Sequence, residues 1–132
     1  CGTVIHPQGL AQQMKGATVW GIGMALFERQ IYDPQNGLPG NIGFEQCKPP
    51  TYLDVPSTMA WDAVDLPDPQ NPVGTRGIGE PPMGAAAAAI VCAISDALDG
   101  HVFKRTPIVP DMIVNHTAGR EPSNGVLQIH TA

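Results

Sequence analysis

The residues best suited to chemistry in this sequence lie together at Gly77-Ile78-Gly79-Glu80-Pro81-Pro82, a glycine loop that runs into the alanine stretch Ala85–Ala89. Glycines at 77 and 79 leave the main chain uncovered, so a substrate or cofactor can approach it closely. A carboxylate at Glu80 then borders the gap, where it suits general-base chemistry. The same residue also suits a structural task, because an acid at a helix start complements the unpaired amides and dipole there. The sequence leaves both readings of Glu80 open.

Glycines ahead of a helix also invite a phosphate-binding reading. Here the third glycine of the dinucleotide fingerprint is missing at its usual offset, and no Gly-Lys-Ser/Thr follows. Glu80 would further repel a pyrophosphate. Other polar residues are dispersed: His6, His101, His116 and His130 have no metal-ligand spacing, and no Cys-x-x-Cys pair joins Cys1, Cys47 and Cys92. No metal site made of protein ligands is expected. Gln12 and Gln13 sit beside an apolar helix face, either solvent-facing or as amides that both donate and accept. Arg76, four residues before Glu80, suits orienting the loop or an anion.

Several elements must position these residues. From about Gln8 to Glu28, Leu10, Met14, Thr18, Ile22 and Leu26 recur at helical spacing, with Gly16, Gly21 and Gly23 among them. Each interior glycine costs a helix about 1 kcal/mol relative to alanine, so close approach of another backbone or a ligand is the better reason for them. Pro81-Pro82 marks the start of a second helix near Glu80, and Gly100 marks its end. Gln30–Tyr32, Ile42–Cys47 and Thr58–Leu66 read as strands, with a turn at Asp33-Pro34-Gln35-Asn36-Gly37. The expectation is an α+β fold: helices at about 8–28 and 81–99 packed on short mixed β-strands.

At 132 residues one structural unit is expected, and 15 Gly, 14 Pro and only 5% aromatic residues make a self-sufficient core hard to build. A start at Cys1 instead of Met suits a processed or partial chain. The net charge of −5 gives little attraction for nucleic acid or anionic membranes. Without a bilayer-length apolar helix, a soluble unit is expected, and the odd, widely spaced cysteines suit a reducing, cytoplasmic compartment.

Four ordered blocks carry a family resemblance. Val4-Ile5-His6-Pro7, Gln13-Met14-Lys15-Gly16-Ala17 and Gly21-Ile22-Gly23-Met24-Ala25-Leu26-Phe27-Glu28 form the first, and Thr51-Tyr52-Leu53-Asp54-Val55-Pro56 the second. Gly74-Thr75-Arg76-Gly77-Ile78-Gly79-Glu80-Pro81-Pro82 is the third, and Thr106-Pro107 through Pro110-Asp111 the fourth. In order and spacing over residues 2–114 they resemble the C-terminal segment of the molybdenum-binding large subunit of the xanthine dehydrogenase/aldehyde oxidase family. His6, Lys15 and Arg76 stand where that pattern has Asn, Glu and Lys, so no family role is carried onto them.

The resemblance implies that residues 1–114 are the C-terminal part of a molybdopterin-binding domain, with 115–132 a polar tail. It implies Glu80 as general base at a Mo–OH group, and Gln13 beside the molybdenum–molybdopterin cofactor along with the open backbone at Gly77 and Gly79. The metal would take its ligands from the pterin and from oxo, sulfido and hydroxo groups, and not from the protein. The implied reaction hydroxylates an aldehyde or N-heterocycle with oxygen from water. The implied partners are the rest of the subunit, 2Fe-2S and FAD subunits or domains, and a small-molecule substrate. A fragment alone would be inactive. Two rivals are a non-catalytic assembly module of the same fold and an independent nucleotide-binding protein.

Overall fold

A computed structural model describes residues 1–120. Helix α1 (Pro7–Ile22) begins at His6, whose Nδ1 accepts a hydrogen bond from the Gly9 amide at 2.7 Å. This is the task of an N-cap side chain, and Pro7 fills the first helical position, where a missing N–H costs nothing. The departure at His6 therefore preserves a helix start, since asparagine is a preferred cap. The helix passes without a break into a π-helical turn, Gly23–Phe27, closed by the Glu28 amide on the Gly23 carbonyl at 2.9 Å.

Leu10, Ala11, Ala17, Ile22, Ala25 and Ile108 form the small buried core. Helix α2 (Met83–Ala97) lies against α1 at Gly21, where an added Cβ would fall on the Ala86 Cβ and 2.8 Å from the Ala87 nitrogen. This is the close backbone approach expected of the helical glycines. Gly16, by contrast, faces open space. After α2 the chain turns at Asp99 and Gly100, both with left-handed φ (54° and 82°), and the Gly100 amide caps the Ser95 carbonyl at 2.9 Å. It returns to the core through Ile108, whose amide donates to the Ala25 carbonyl at 2.7 Å. Burial of that side chain is worth about 1.5–3 kcal/mol.

Helix α3 (Pro110–Thr117) continues past 114 into the expected tail, and residues 121–132 of that tail lie outside the described residues. His116 of α3 stacks on His101, ring centroids 3.7 Å apart, and Phe103 meets His101 edge-on.

The β half of the expectation needs correcting. Among the described residues there is no strand ladder, only the isolated bridges Gly2↔Thr75 and Tyr32↔Pro39. Gln30–Tyr32 supplies one side of the second bridge, across the turn at Pro34-Gln35-Asn36. Ile42–Cys47 is instead folded into a turn, with the Gln46 and Cys47 amides both on the Gly43 carbonyl, at 3.0 and 2.9 Å. Thr58–Leu66 runs without turn or bend but has no strand beside it. Strand propensity cannot make a strand without a second segment to complete its hydrogen bonds. The alanine helix also packs on one side only: Ala86 and Ala87 are half-buried, and Ala85, Ala88, Ala89 and Ala93 are exposed.

Candidate functional site

The glycine loop is anchored from its upstream side by a cluster of side chains. Asn71 Oδ1 accepts from the amides of Val73, Gly74 and Thr75 at 3.1, 2.7 and 3.2 Å, and its Nδ2 donates to the Thr75 carbonyl at 2.7 Å. Asp68 accepts from Arg76 Nε at 2.7 Å, so Arg76 is held by Asp68 and not by Glu80. That bond, aided by the Gln70 amide, holds the Asp68 carboxyl below the usual carboxylate range. Gly74 is buried with φ +73°, and an added Cβ would lie 2.9 Å from Thr3 Oγ1 and 3.0 Å from Pro67 Cβ. Only glycine fits there without strain.

The N-terminal segment crosses this turn. The Thr3 amide donates to the Gly74 carbonyl at 2.7 Å, the Arg76 amide to the Cys1 carbonyl at 2.8 Å, and the Val4 amide to Asp65 Oδ1 at 2.7 Å. Between the two segments a cleft of about 260 Å³ is lined by Thr3, His6, Leu10, Thr75, Arg76 and Ile78, among others. The loop therefore starts beside the first turn of α1. Downstream, Met83 lines a groove with Val19, Trp20, Met24 and Pro50 near the end of α1. Gln13 lies between those two contacts along the helix.

Gly77, Gly79 and Glu80 share one exposed loop, and a Cβ at either glycine would meet nothing within 4 Å. Among the described residues the N–H groups of Gly77 and Gly79 donate to no protein group. Glu80 stands outside the helix it was expected to begin: its carbonyl accepts from the Met83 amide at 2.9 Å, and α2 starts at Met83 with no side-chain cap and no acid in its first turn. Its side chain therefore makes no capping hydrogen bond to α2, although its carbonyl closes the turn that leads into the helix. Gln13 is also exposed, about 40° around α1 from buried Ala17, and no hydrogen bond joins it to the loop. The structure thus unites three of the four expected site residues and leaves Gln13 on a separate element.

Sequence reading missed Asp68 and Asn71, which shape the loop. Their signal was the string Asp68-Pro69-Gln70-Asn71-Pro72, whose Asp and Asn are the types that bond to backbone amides a residue or two ahead. Among the described residues no group of three or more His, Cys, Asp or Glu could hold a metal ion. No helix among them is long and apolar enough to cross a membrane.

Residues 1–56 match a molybdopterin cofactor-binding domain. The chain is 37% identical over 119 residues to the 6-hydroxypseudooxynicotine dehydrogenase complex subunit gamma of Paenarthrobacter nicotinovorans, covering 89% of this chain and 15% of that one. It is 33% identical over 120 residues to a putative xanthine dehydrogenase molybdenum-binding subunit of Escherichia coli (strain K12), covering 89% of this chain and 16% of that one. Among solved structures, quinoline 2-oxidoreductase from Pseudomonas putida 86 superposes with a TM-score of 0.79 at 32% identity, over 92% of this chain and 15% of that one. The chain spans about one-sixth of the length of these relatives.

Proposed function

The chain belongs to the xanthine dehydrogenase/aldehyde oxidase family of molybdenum-binding subunits, and on that premise we propose that it forms one wall of a hydroxylase active site with Glu80 as the general base. The observation that carries this reading is the carboxylate of Glu80, exposed at the end of an open glycine loop and outside the helix that follows. A base needs access to the proton it removes and a fixed approach to it. Exposure supplies the first, and the anchorage by Asp68, Asn71 and Gly74 upstream with α2 downstream holds the two ends of the loop from which Glu80 projects.

The donor set fits a molybdenum–molybdopterin group. The amide side chain of Gln13 can donate and accept, and the N–H groups of Gly77 and Gly79 are open to a ligand. These residues would hold the cofactor's edge, while missing Cβ atoms at 77 and 79 let it approach the main chain. When bound, that group supplies the two-electron redox chemistry. Glu80 receives a proton at its carboxylate oxygen from the attacking oxygen nucleophile, which derives from water. The substrate is an aldehyde or N-heterocycle with an electron-poor carbon. The remaining molybdenum-subunit polypeptide and 2Fe-2S and FAD subunits are the partners, and the chain by itself is inactive.

Steady-state turnover of the intact enzyme carrying Glu80→Gln, with molybdenum content measured on the same sample, tests the assignment. The expected outcome is normal metal content with turnover reduced by a factor of about 100 to 10,000. Normal turnover would remove Glu80 from the reaction.

A further inference from the structure

We propose that the stacked rings of His101 and His116 form a pH-sensitive tie that docks α3 near neutrality and releases it in acid. It does not depend on the role of Glu80. The two rings lie face to face, centroids 3.7 Å apart and planes 22° from parallel, and Phe103 meets His101 edge-on at 4.6 Å. Helix α3 has no buried residue and packs against neither α1 nor α2. At 8 residues it is too short to persist as a helix without contacts to the rest of the chain. The stretch before it is fixed, because Ile108 is buried and its amide donates to the Ala25 carbonyl. Release of the ring contact would therefore let α3 swing about Val109 and Pro110.

Neutral imidazoles stack readily, whereas two imidazolium rings at this separation repel, and histidine changes charge between about pH 5 and pH 8. His116 lies in the last turn of α3, where the helix's unpaired carbonyls favour a cation. A second proton, on His101, then sets two like charges face to face. The charged groups on the segments that meet here are Asp96 and Asp99 at the end of α2, Lys104 and Arg105 after His101, and Asp111 and Arg120 on and just past α3. Among the described residues neither ring forms a hydrogen bond or ion pair with any of them. No bonded carboxylate offsets the second charge. The sign follows from this arrangement: the tie is present above the ordinary range of histidine and is lost as pH falls through it. His116 is exposed and His101 half-buried, so water screens the repulsion and holds the effect to about tenfold.

Amide hydrogen exchange of α3 in the intact enzyme, at about pH 7.5 and about pH 5 and relative to intrinsic rates, tests this. Protection of the amides from Val114 to Ala118 should fall about tenfold at the lower pH, while that of α1 stays constant. His116→Phe keeps a ring that stacks but takes no proton, and His101→Phe does the same from the other side. In either variant the protection of α3 should be equal at the two pH values. In the wild type, about 1 M salt should restore at least half of the protection lost at the lower pH, because it screens charges at this distance. Unchanged wild-type protection at the lower pH overturns the proposal. An equal fall in both variants also overturns it, and assigns the acid step to a carboxylate such as Asp96, Asp99 or Asp111. If the phenylalanine variants leave α3 unprotected at both pH values, the wild type in salt decides, and no recovery there overturns the tie.

Discussion

Gly21 and Gly16 lie in the same helix, and replacing each by alanine separates helix propensity from helix contact. In an isolated helix each replacement would stabilise by about 1 kcal/mol. At Gly16 nothing stands within 4 Å of the new methyl, so the full gain is expected. At Gly21 the methyl falls on Ala86, with the Ala87 nitrogen at 2.8 Å and the Ala86 carbonyl carbon at 3.0 Å. Two of the obstacles are backbone, so α2 as a whole must shift, and overpacking of this kind costs about 1–3 kcal/mol. Gly21→Ala should therefore fall about 1–3 kcal/mol below Gly16→Ala in stability. Urea unfolding of the two variants, followed by far-ultraviolet circular dichroism, reads that difference directly. Equal stabilisation by both would refute the α1–α2 contact and the placement of Glu80 that depends on it.

Gly74→Ala must place a methyl at φ +73° against Thr3 and Pro67, and should destabilise by about 1–3 kcal/mol in the same assay. The Asp68 carboxyl is held low chiefly by its bond from Arg76, so its contribution is present above the ordinary carboxylate value of about 3.9 and is lost as pH falls through its lower folded value. The protection of the Thr75 and Arg76 amides, relative to their intrinsic exchange rates, should thus be constant near neutrality and fall only below about pH 4; Asp68→Asn should abolish that acid step. In the intact enzyme Gln13→Ala should weaken cofactor retention by about 1–3 kcal/mol, read as molybdenum per protein, and unchanged content would return Gln13 to a surface role. The purified chain alone should retain no molybdenum and reduce no dye with substrate, and stoichiometric metal with turnover would contradict the one-wall reading.

The helices were legible because their signals are local: apolar residues at helical spacing over α1, a proline pair before α2 and Gly100 after it. The purpose of Gly21 was legible only as a need for close approach, since its neighbour Ala86 is far away in sequence. The strands were not realised for a non-local reason. Thr58–Val64 keeps strand-like alternation, but the hydrogen bonds that define a strand require a second segment. Ile42–Cys47 reads as a strand by composition, yet the Gly43 carbonyl collects two amides and closes a turn. At the candidate site, the open backbone around Gly77, Gly79 and Glu80 was legible from one short motif. The Asp68–Arg76 pair and the Asn71 clamp depend on a turn geometry that the sequence only outlines as proline-rich.

The most direct test of the central claim isolates the step in which the base acts. Intact enzyme carrying Glu80→Gln, loaded with molybdenum to the wild-type level, is mixed rapidly with substrate and its reduction followed optically. Loss of the proton acceptor predicts reduction slowed by about 10,000-fold or more, with the cofactor's optical spectrum before mixing unchanged. If Glu80 serves only the helix that follows it, the substitution costs about 0.3–1 kcal/mol of stability and leaves that rate nearly intact. Reduction within about tenfold of wild type would contradict the assignment of Glu80 as the base.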